Sequence, residues 1–327
     1  MYRRRMIINF LIGVLVATMI MVSVGGVYAA YPEKKSITVI IAYATGGGTD
    51  TFARFFQKYA EQSLGQKLVI KNLPGAGCQI GWTTLANARP DGYTIGIINL
   101  PSINILMAMR ENVGFEMSDF KTICQNQADP MMLAVQPDSP FKNAAELVEY
   151  ARSNPEKIVV GFDGPLSNNQ LQWLAAAQKV EIETTNICYN GSGPTLTALL
   201  GGHIDAAVPS SSSAIPYIES GKLRSIGVFA PERLDLLPNV PTFSESTGIT
   251  VPSVGISSRG FVAPKDTPQE IIDFLEKAFK KALTDPLFLE QAKKMGIPIN
   301  YLGSKEFEEH FKSVDENTKL YAPLLKK

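Results

Sequence analysis

Strand-like and helix-like segments alternate along almost the whole chain of 327 residues. In the first pair, residues 37–43 are β-branched and aromatic, as in a buried strand, and Phe52, Phe56 and Tyr59 then recur at helical spacing. Further strand-like runs occur at residues 67–71, 93–98, 120–125, 131–135, 158–160, 186–189, 204–208 and 223–229. Such alternation predicts an α/β fold of parallel sheets covered by helices on both faces.

Nearly every predicted strand ends in a loop of glycine, serine, threonine or asparagine, and the loop at residues 45–50 has three consecutive glycines. A strand that turns on glycines into a helix leaves free backbone N–H groups at the positive end of the helix dipole, where anions such as carboxylates bind. The loop has neither the lysine of the phosphate-binding motif nor the spacing of the dinucleotide motif. We therefore predict an anion site rather than a nucleotide site. The alternative is an ordinary strand-to-helix turn capped by Thr49 or Asp50.

The beginning of the chain has the layout of a secretory signal peptide. Three arginines at positions 3–5 are followed by uncharged residues to position 26 and by a small-residue site that ends at Ala29 or Ala30. We expect a signal peptide at residues 1–29, and hence a periplasmic or other extracytoplasmic protein. The alternative is an uncleaved anchor, because the uncharged stretch approaches the length that spans a bilayer.

The charge balance argues against nucleic acid or an anionic membrane surface as partner. The chain has 31 basic and 31 acidic residues, and without the three arginines of the signal peptide 28 basic residues face 31 acidic ones. Three cysteines lie in separate segments, and His203 and His310 are near neither a cysteine nor each other. A zinc site therefore has no ligand cluster, and we expect no metal and no cofactor.

The length of the chain predicts two lobes, because about 300 mature residues exceed one typical hydrophobic core. We place lobe 1 at residues 31–129 and 255–327 and lobe 2 at residues 130–254. Two crossover strands, near residues 127–131 and 255–260, would join them. Ligands of such sheets bind beyond the carboxyl ends of the strands, so the polar loops would face each other across a cleft, as in a hinged binding protein.

A series of short phrases then carries a family resemblance. In chain order they are Gly46-Gly47-Gly48-Thr49-Asp50, Asn72-x-Pro74-Gly75-Ala76-Gly77, Ala88-x-Pro90-Asp91-Gly92-Tyr93-Thr94, Tyr189-x-Gly191-Ser192-Gly193-Pro194, Leu199-Leu200-Gly201-Gly202-His203-Ile204-Asp205, Ser220-Gly221-Lys222-Leu223-Arg224 and Leu237-Pro238-x-Val240-Pro241-Thr242. Together they closely resemble the substrate-binding proteins of tripartite tricarboxylate transporters, the Bug (Bordetella uptake gene) or TctC-like family. The resemblance covers essentially the whole mature chain. It implies a type II periplasmic-binding-protein fold, with two Rossmann-like lobes joined by the two crossover strands.

The resemblance also implies how the protein works. A small carboxylate, a di- or tricarboxylate or a related organic acid, would be held largely by backbone amides and ordered water and trapped by hinge closure. A monomer would deliver it to two membrane components of a tripartite tricarboxylate transporter, one TctA-like and one TctB-like. The alternative is a ligand-sensing protein that presents its closed form to a signalling system, and the sequence does not separate the two.

By position, the family's ligand contacts fall on loops of both lobes. In lobe 1 the resemblance implies Tyr43, Thr45, Gly46, Gly47, Ala76, Gly77, Asn99, Pro101 and Ser102. In lobe 2 it implies Asp163, Ser167, Asn168, Gly191, Ser192 and Ser210. A carboxylate has about four acceptor sites, so a few charge-assisted bonds of about 1.5–3 kcal/mol each would hold it. Asp50 is expected to cap its helix, because a second negative charge beside an anion would repel it.

Several positions depart from the family pattern and leave the ligand's identity open. Asp163 replaces a small residue and Gln170 a histidine in a contact loop, and Pro209-Ser210 stands where Asp-Asn or a similar pair is frequent. Ser258-Arg259 occupies the usual Trp-Phe position, and Arg259 would clamp one carboxylate in a bidentate pair. An acid at one end and a base near the other would suit an amino acid or another zwitterion. The alternative is that Asp163 caps the following helix and Arg259 points to solvent.

Enzymatic readings have little support in the sequence. The serines at 192 and 210–213 invite a hydrolase, but no G-x-S-x-G elbow surrounds them and His203 lies in a predicted loop. Gly75, Gly77 and Gly81 follow a strand as in dinucleotide enzymes, but no acidic residue ends the next strand. We therefore predict a binding protein and not an enzyme.

Overall fold

The computed structural model of the protein describes residues 31, 32, 35–43, 45, 46, 48–189 and 191–326. The predicted signal peptide at residues 1–29 lies outside these residues. Within the part described, no helix combines the length and the apolar character needed to cross a membrane.

The described chain forms two separate β-sheets with helices packed around them. The six-stranded sheet contains β1 (Ile37–Ile41), β2 (Leu68–Asn72), β3 (Thr94–Leu100), β4 (Phe120–Asp129), β10 (Ser257–Pro264) and β11 (Ile299–Leu302) in the order β11-β4-β10-β3-β1-β2. The five-stranded sheet contains β5 (Met131–Val135), β6 (Val159–Phe162), β7 (Thr185–Cys188), β8 (Ala206–Ala207) and β9 (Arg224–Phe229) in the order β7-β6-β8-β5-β9. The predicted α/β class is thus confirmed.

The helices follow the strands much as the sequence pattern predicts. They are α1 (Gly48–Leu64), α2 (Gln79–Ala86), α3 (Ser102–Met109), α4 (Ala144–Ser153), α5 (Asn168–Val180), α6 (Ser192–Leu200), α7 (Ser211–Glu219), α8 (Phe243–Thr247), α9 (Gln269–Leu283), α10 (Pro286–Lys294) and α11 (Ser304–Tyr321). The apolar stripe of α1 explains its position. Phe56 lies with its ring centroid 5.5 Å from both Phe261 of β10 and Phe279 of α9, so α1 and α9 share one core against the first sheet.

Both sheets are mixed, so the expectation of parallel sheets was wrong. In the first sheet β1 pairs in parallel with β2 and β3, but β10 is antiparallel to β3 and β4. In the second sheet β5 is antiparallel to β8 and β9. The physical reason is the route of the chain. A strand that enters from the other sheet does not follow a helical crossover within its own sheet, and only such crossovers impose parallel pairing.

The chain passes between the sheets at two places. β4 leaves the first sheet at Asp129 and β5 enters the second at Met131, while β10 returns to the first sheet beside the end of β4, with Ser257 opposite Asp129. The buried Asp129 carboxylate accepts hydrogen bonds from the Ser211 hydroxyl at 2.7 Å and the Ser212 backbone N–H at 3.0 Å. The first crossing is therefore tied to the start of α7.

A third link between the halves is apolar. Ile105 of α3, Leu171 and Ala175 of α5, Val254 before β10 and Tyr321 of α11 form one buried cluster. The 3-10 turn at Ala322–Lys326 continues this contact against α5 through partly buried leucines. The carboxyl-terminal helix thus adds contacts to those of the two crossing strands.

Candidate functional site

A cavity of about 530 Å³ lies between loops of the two sheets. From the first sheet and its flanking segments it is lined by Tyr43, Gly46, Gly48, Thr51, Asn99, Ser102, Gln127, Ser257, Arg259, Met295, Gly296, Ile297 and Pro298. From the second it is lined by Met131, Asp163, Ser167, Asn168, Asn169, Ser192, Ser210, Ser212 and Ser213. Most of these residues are polar or glycine, so the cavity suits a polar ligand.

Five helices begin at or beside the residues that line this cavity. They are α1 at Gly48, α3 at Ser102, α5 at Asn168, α6 at Ser192 and α7 at Ser211. Each helix start has backbone N–H groups without a partner in its own helix and the positive end of a helix dipole. At α7 these groups are already occupied, because the Ser211 N–H donates to the Pro130 carbonyl and the Ser212 N–H to Asp129, so only the other four starts are candidate anion sites. The cavity is therefore surrounded by groups that favour negative charge.

Asp50 stabilises the glycine loop before α1 by a hydrogen bond back to Gly46. The Gly46 N–H donates to the Asp50 carboxylate at 2.8 Å, and Arg54 Nε donates to both of its oxygens at 3.0 and 3.1 Å. Burial alone would raise the pKa of Asp50, but the hydrogen bonds from Arg54 and Gly46 outweigh it and hold the pKa below the usual value. Asp50 was expected to cap its helix; its carboxylate instead accepts from the Gly46 N–H that precedes the helix and from Arg54. Gly46 lines the cavity, but its backbone N–H is already hydrogen-bonded to Asp50.

Arg259 reaches the cavity from the middle of the first sheet. Its backbone lies opposite Asn99 of β3 and Gln127 of β4, and both of these residues also line the cavity. A Cβ added to Gly48 would lie 3.4 Å from Arg259 Nη2, so the guanidinium rests against the start of α1. Arg259 Nε is buried and has no hydrogen-bond partner among the described residues. The alternative in which Arg259 points to solvent is therefore wrong.

Asp163 faces the cavity from the loop after β6. Its Oδ2 accepts a hydrogen bond from the Ser192 hydroxyl, and its backbone carbonyl accepts from Gly191 N–H at 2.7 Å. Its Oδ1 is buried without a partner among the described residues. Burial raises the pKa of Asp163, and the neighbouring polar side chains of Ser192, Thr195 and Asn169 offset this only in part. Asp163 does not cap α5, as the alternative supposed, since its side chain is turned to the start of α6.

One hydrogen bond spans the cavity directly. The Ser102 hydroxyl, at the start of α3, donates to Asn168 Oδ1, at the start of α5, at 2.8 Å. Beside it, the Tyr43 side chain lies near Ser102 and Cys78, and its ring packs edge-on against Trp82 at a centroid distance of 6.1 Å. The two walls are thus joined at this end of the cavity.

The structure brings most of the sequence-predicted residues to this cavity. Those that line it are Tyr43, Gly46, Asn99, Ser102, Asp163, Ser167, Asn168, Ser192, Ser210 and Arg259. Thr45, Pro101 and Gly191 adjoin lining residues without lining the cavity themselves, and Gly47 lies outside the described residues.

Ala76 and Gly77 do not line the cavity. The Ala76 carbonyl accepts a hydrogen bond from Arg110 Nη1 at 2.7 Å, and a Cβ added to Gly77 would lie 3.2 Å from Arg110 Nη2. The turn that holds them has positive φ angles at both residues, so its backbone direction does not follow from the strand-and-helix pattern.

Sequence reasoning missed two groups of lining residues outside the predicted loops, and at the starts of α1 and α7 it did not name Gly48, Thr51, Ser212 and Ser213 as contacts. Gln127, Met131 and Ser257 lie on the crossing strands, and the predicted position of those strands is the signal that would have placed them at the cleft. The loop at residues 295–298 joins α10 to β11. Its apolar residues gave no binding signal in the sequence.

Comparisons with known proteins agree with this geometry. A family model described as "Tripartite tricarboxylate transporter family receptor" matches residues 52–327. A Cupriavidus necator protein, "UPF0065 protein in gbd 5'region", is 32% identical over 277 residues, which cover 85% of this chain and 83% of that protein. A solved TctC solute-binding protein from Polaromonas is 28% identical with a TM-score of 0.77, covering 90% of this chain and 99% of its own. The solved periplasmic binding protein BugD is 29% identical with a TM-score of 0.72, covering 90% and 97%.

Proposed function

Because the chain belongs to the tripartite tricarboxylate transporter receptor family, a family of solute-binding proteins and not of enzymes, we propose that it captures a small carboxylate in this cavity. Hinge closure traps the ligand, and the loaded protein delivers it to a tripartite tricarboxylate-type transporter. It works outside the cytoplasmic membrane, as the predicted signal peptide and the description of BugD as periplasmic both suggest.

The observation that carries this proposal is the convergence of Arg259 and of four helix starts, those of α1, α3, α5 and α6, on one cavity. Charge-assisted hydrogen bonds from backbone N–H groups contribute about 1.5–3 kcal/mol each, so a few of them suffice for micromolar affinity. The guanidinium lies close to Gly48 at the start of α1, where a carboxylate would meet both.

A hydrolytic role lacks the geometry it needs. In the described part of the chain, the one hydrogen bond between a serine and a histidine joins Ser258 to His310 at 2.9 Å, and neither residue lines the cavity. The hydroxyl of Ser210 meets those of Ser212 and Ser213 instead. No described serine of the cavity is hydrogen-bonded to a histidine, as the serine nucleophile of a Ser-His pair would be.

A thermal-shift screen with mono-, di- and tricarboxylates, amino acids included, followed by calorimetry, tests ligand capture. A ligand at about 100 times its Kd should raise Tm by about 5 °C in a chain of this size. Arg259→Gln should abolish the shift, whereas Arg110→Gln, at an arginine that follows α3 and lies outside the cavity, should keep it. If no carboxylate shifts Tm, the proposed ligand class is wrong.

Closure and delivery need separate measurements. Small-angle scattering should show a smaller radius of gyration with saturating ligand, because the ligand adds contacts between the walls only in the closed form. Uptake of the labelled ligand should be lost in cells that lack this chain and restored by the wild type but not by Arg259→Gln. A transcriptional response to the ligand with unchanged uptake would point to sensing instead of transport.

A further inference from the structure

Among the residues that the structure describes, two charged side chains line the cavity, and they have opposite signs and come from opposite walls. Arg259 belongs to β10 of the first sheet, and Asp163 follows β6 of the second. Neither takes part in the ion pairs of the described chain. One cavity thus holds a cation and an anion that do not neutralise each other.

On the side of the cavity formed by the second sheet, the Asp163 carboxylate has one oxygen without a described hydrogen-bond donor. One carboxylate oxygen is satisfied by Ser192, while the other is buried and has no described partner. A buried acceptor left without a donor destabilises the folded protein. Burial also raises the pKa of Asp163, as expected for a buried carboxylate that no cation faces.

On the side formed by the first sheet, the Arg259 guanidinium has an N–H group without a described acceptor. The buried Nε has no described partner, and the guanidinium lies beside the start of α1, which itself favours negative charge. A carboxylate placed there would accept from the arginine and from helix N–H groups together.

These two demands fit one chemical class. Resting on the proposed function, we propose that the ligand is an amino-acid-type zwitterion, with its carboxylate at Arg259 and its ammonium group at Asp163. The charges of the described lining then cancel those of the ligand one for one. A plain dicarboxylate would instead place its second carboxylate against Asp163, where one of the two groups must take up a proton to avoid repulsion.

Matched ligand pairs test this assignment by calorimetry at pH 7. Each pair keeps the chain length and replaces one carboxylate by an ammonium group: succinate with β-alanine, and glutarate with γ-aminobutyrate. Aspartate and glutamate, which carry both groups, complete the set. We expect the best ammonium-bearing ligand to bind at least about tenfold more tightly than the best dicarboxylate.

Two variants assign the effect to the residue. Asp163→Asn should weaken the ammonium-bearing ligand by about 10- to 100-fold and strengthen the dicarboxylates. Asp205→Asn is the matched control, because Asp205 is an exposed acid of the same sheet that accepts from Val159 N–H outside the cavity, and it should change neither affinity.

The outcomes separate this inference from the proposed function. Dicarboxylates that bind more tightly than every ammonium-bearing ligand would overturn the zwitterion assignment and leave carboxylate capture intact. γ-Hydroxybutyrate that matches γ-aminobutyrate would also overturn it, because Asp163 would then need only a neutral donor. The absence of binding by every carboxylate would instead refute the proposed function. The wild-type comparison decides even if Asp163→Asn fails to fold.

Discussion

Two carboxylates lie on opposite sides of the candidate site, each near the start of a helix, and the chain satisfies them to very different degrees. Asp50 is only 1% exposed, and it accepts hydrogen bonds from Gly46 and Arg54, both of which belong to its own loop and helix. Asp163 accepts from Ser192 through one oxygen and leaves the other buried without a described partner.

This difference separates a carboxylate that stabilises the fold from one that is proposed to bind the ligand. The pKa of Asp50 is lowered because its donors outweigh burial, whereas the pKa of Asp163 is raised because burial outweighs its donors. Both carboxylate oxygens of Asp50 accept hydrogen bonds within the folded chain, and the bond from Gly46 fixes the conformation of the glycine loop. In the proposed binding mode, the ligand's ammonium group would supply the donor that Asp163 Oδ1 lacks.

The largest effect that we expect from this contrast is a difference in stability between Asp50→Ala and Asp163→Ala. Asp50→Ala leaves the Gly46 N–H without its acceptor and opens the hydrogen bond that closes the glycine loop, so we expect a loss of about 2 kcal/mol in the free energy of unfolding. Arg54 is half-exposed and adds little to this value. Asp163→Ala removes a half-satisfied buried carboxylate and should change stability far less. Urea denaturation measures both, and similar losses in the two variants would break the contrast.

The pH dependence of stability should differ in sign between the two groups. The folded-state pKa of Asp50 lies below that of the unfolded chain. Its contribution is therefore complete above about pH 4 and is lost as the pH falls through the folded pKa. The folded-state pKa of Asp163 lies above the unfolded value. Its contribution therefore decreases as the pH rises from about 4 through the raised pKa.

Difference curves isolate the two contributions. The free energy of unfolding, measured from about pH 3 to pH 7 for the wild type and for Asp50→Asn and Asp163→Asn, should give differences that slope in opposite directions. The groups that face Asp163 from α5 and α6, namely Asn169, Ser192 and Thr195, are neutral, so they do not titrate in this range. Parallel difference curves would show that the two carboxylates have similar environments after all.

Some features of this region could be predicted from the sequence and others could not, and the reasons are physical. Strand–helix alternation and polar loops depend on local pattern, so the α/β class, the glycine loop and the cleft residues at strand ends could be predicted. Asp163 and Arg259 were identified as departures from a family pattern. Their orientation depends on α6 and on Gly48, which meet them only in the folded chain.

Other parts of the site could not be predicted from local pattern. The loop at residues 295–298 reaches the cavity from α10, far along the chain, and has no polar signal. Ala76 and Gly77 fit the expected glycine turn, but the positive φ angles of that turn and its contact with Arg110 direct it elsewhere. The mixed direction of the strands was missed because it is set by chain crossings between the sheets.

A smaller effect is expected from the bond that joins the two walls. Ser102→Ala removes the hydrogen bond to Asn168 and with it about 0.5–1.5 kcal/mol of the closed form's advantage, so ligand affinity should fall several-fold. Ser118→Ala is the control, because its hydroxyl donates to Glu116 outside the cavity. Calorimetry measures both affinities. An unchanged affinity in Ser102→Ala would mean that this contact forms equally in the open and closed forms.

The smallest predicted effect concerns the approach of Arg259 to the first wall. An alanine Cβ at position 48 would lie 3.4 Å from Arg259 Nη2, which is close contact without overlap. Gly48→Ala should therefore shift the guanidinium slightly and weaken carboxylate binding by about two- to threefold. The same change should stabilise the fold by about 0.5 kcal/mol, because alanine restricts the unfolded chain and favours the helix.

Gly193→Ala is the matched control for this last change. Gly193 lies in the first turn of α6, and a Cβ there would have no neighbour within 4 Å. Both variants should gain stability, but only Gly48→Ala should lose affinity. Because stability and affinity move in opposite directions in one variant, a general loosening of the fold does not explain the result. If both variants bind like the wild type, the guanidinium adjusts freely, and the carboxylate end of the site depends on helix N–H groups more than on Arg259.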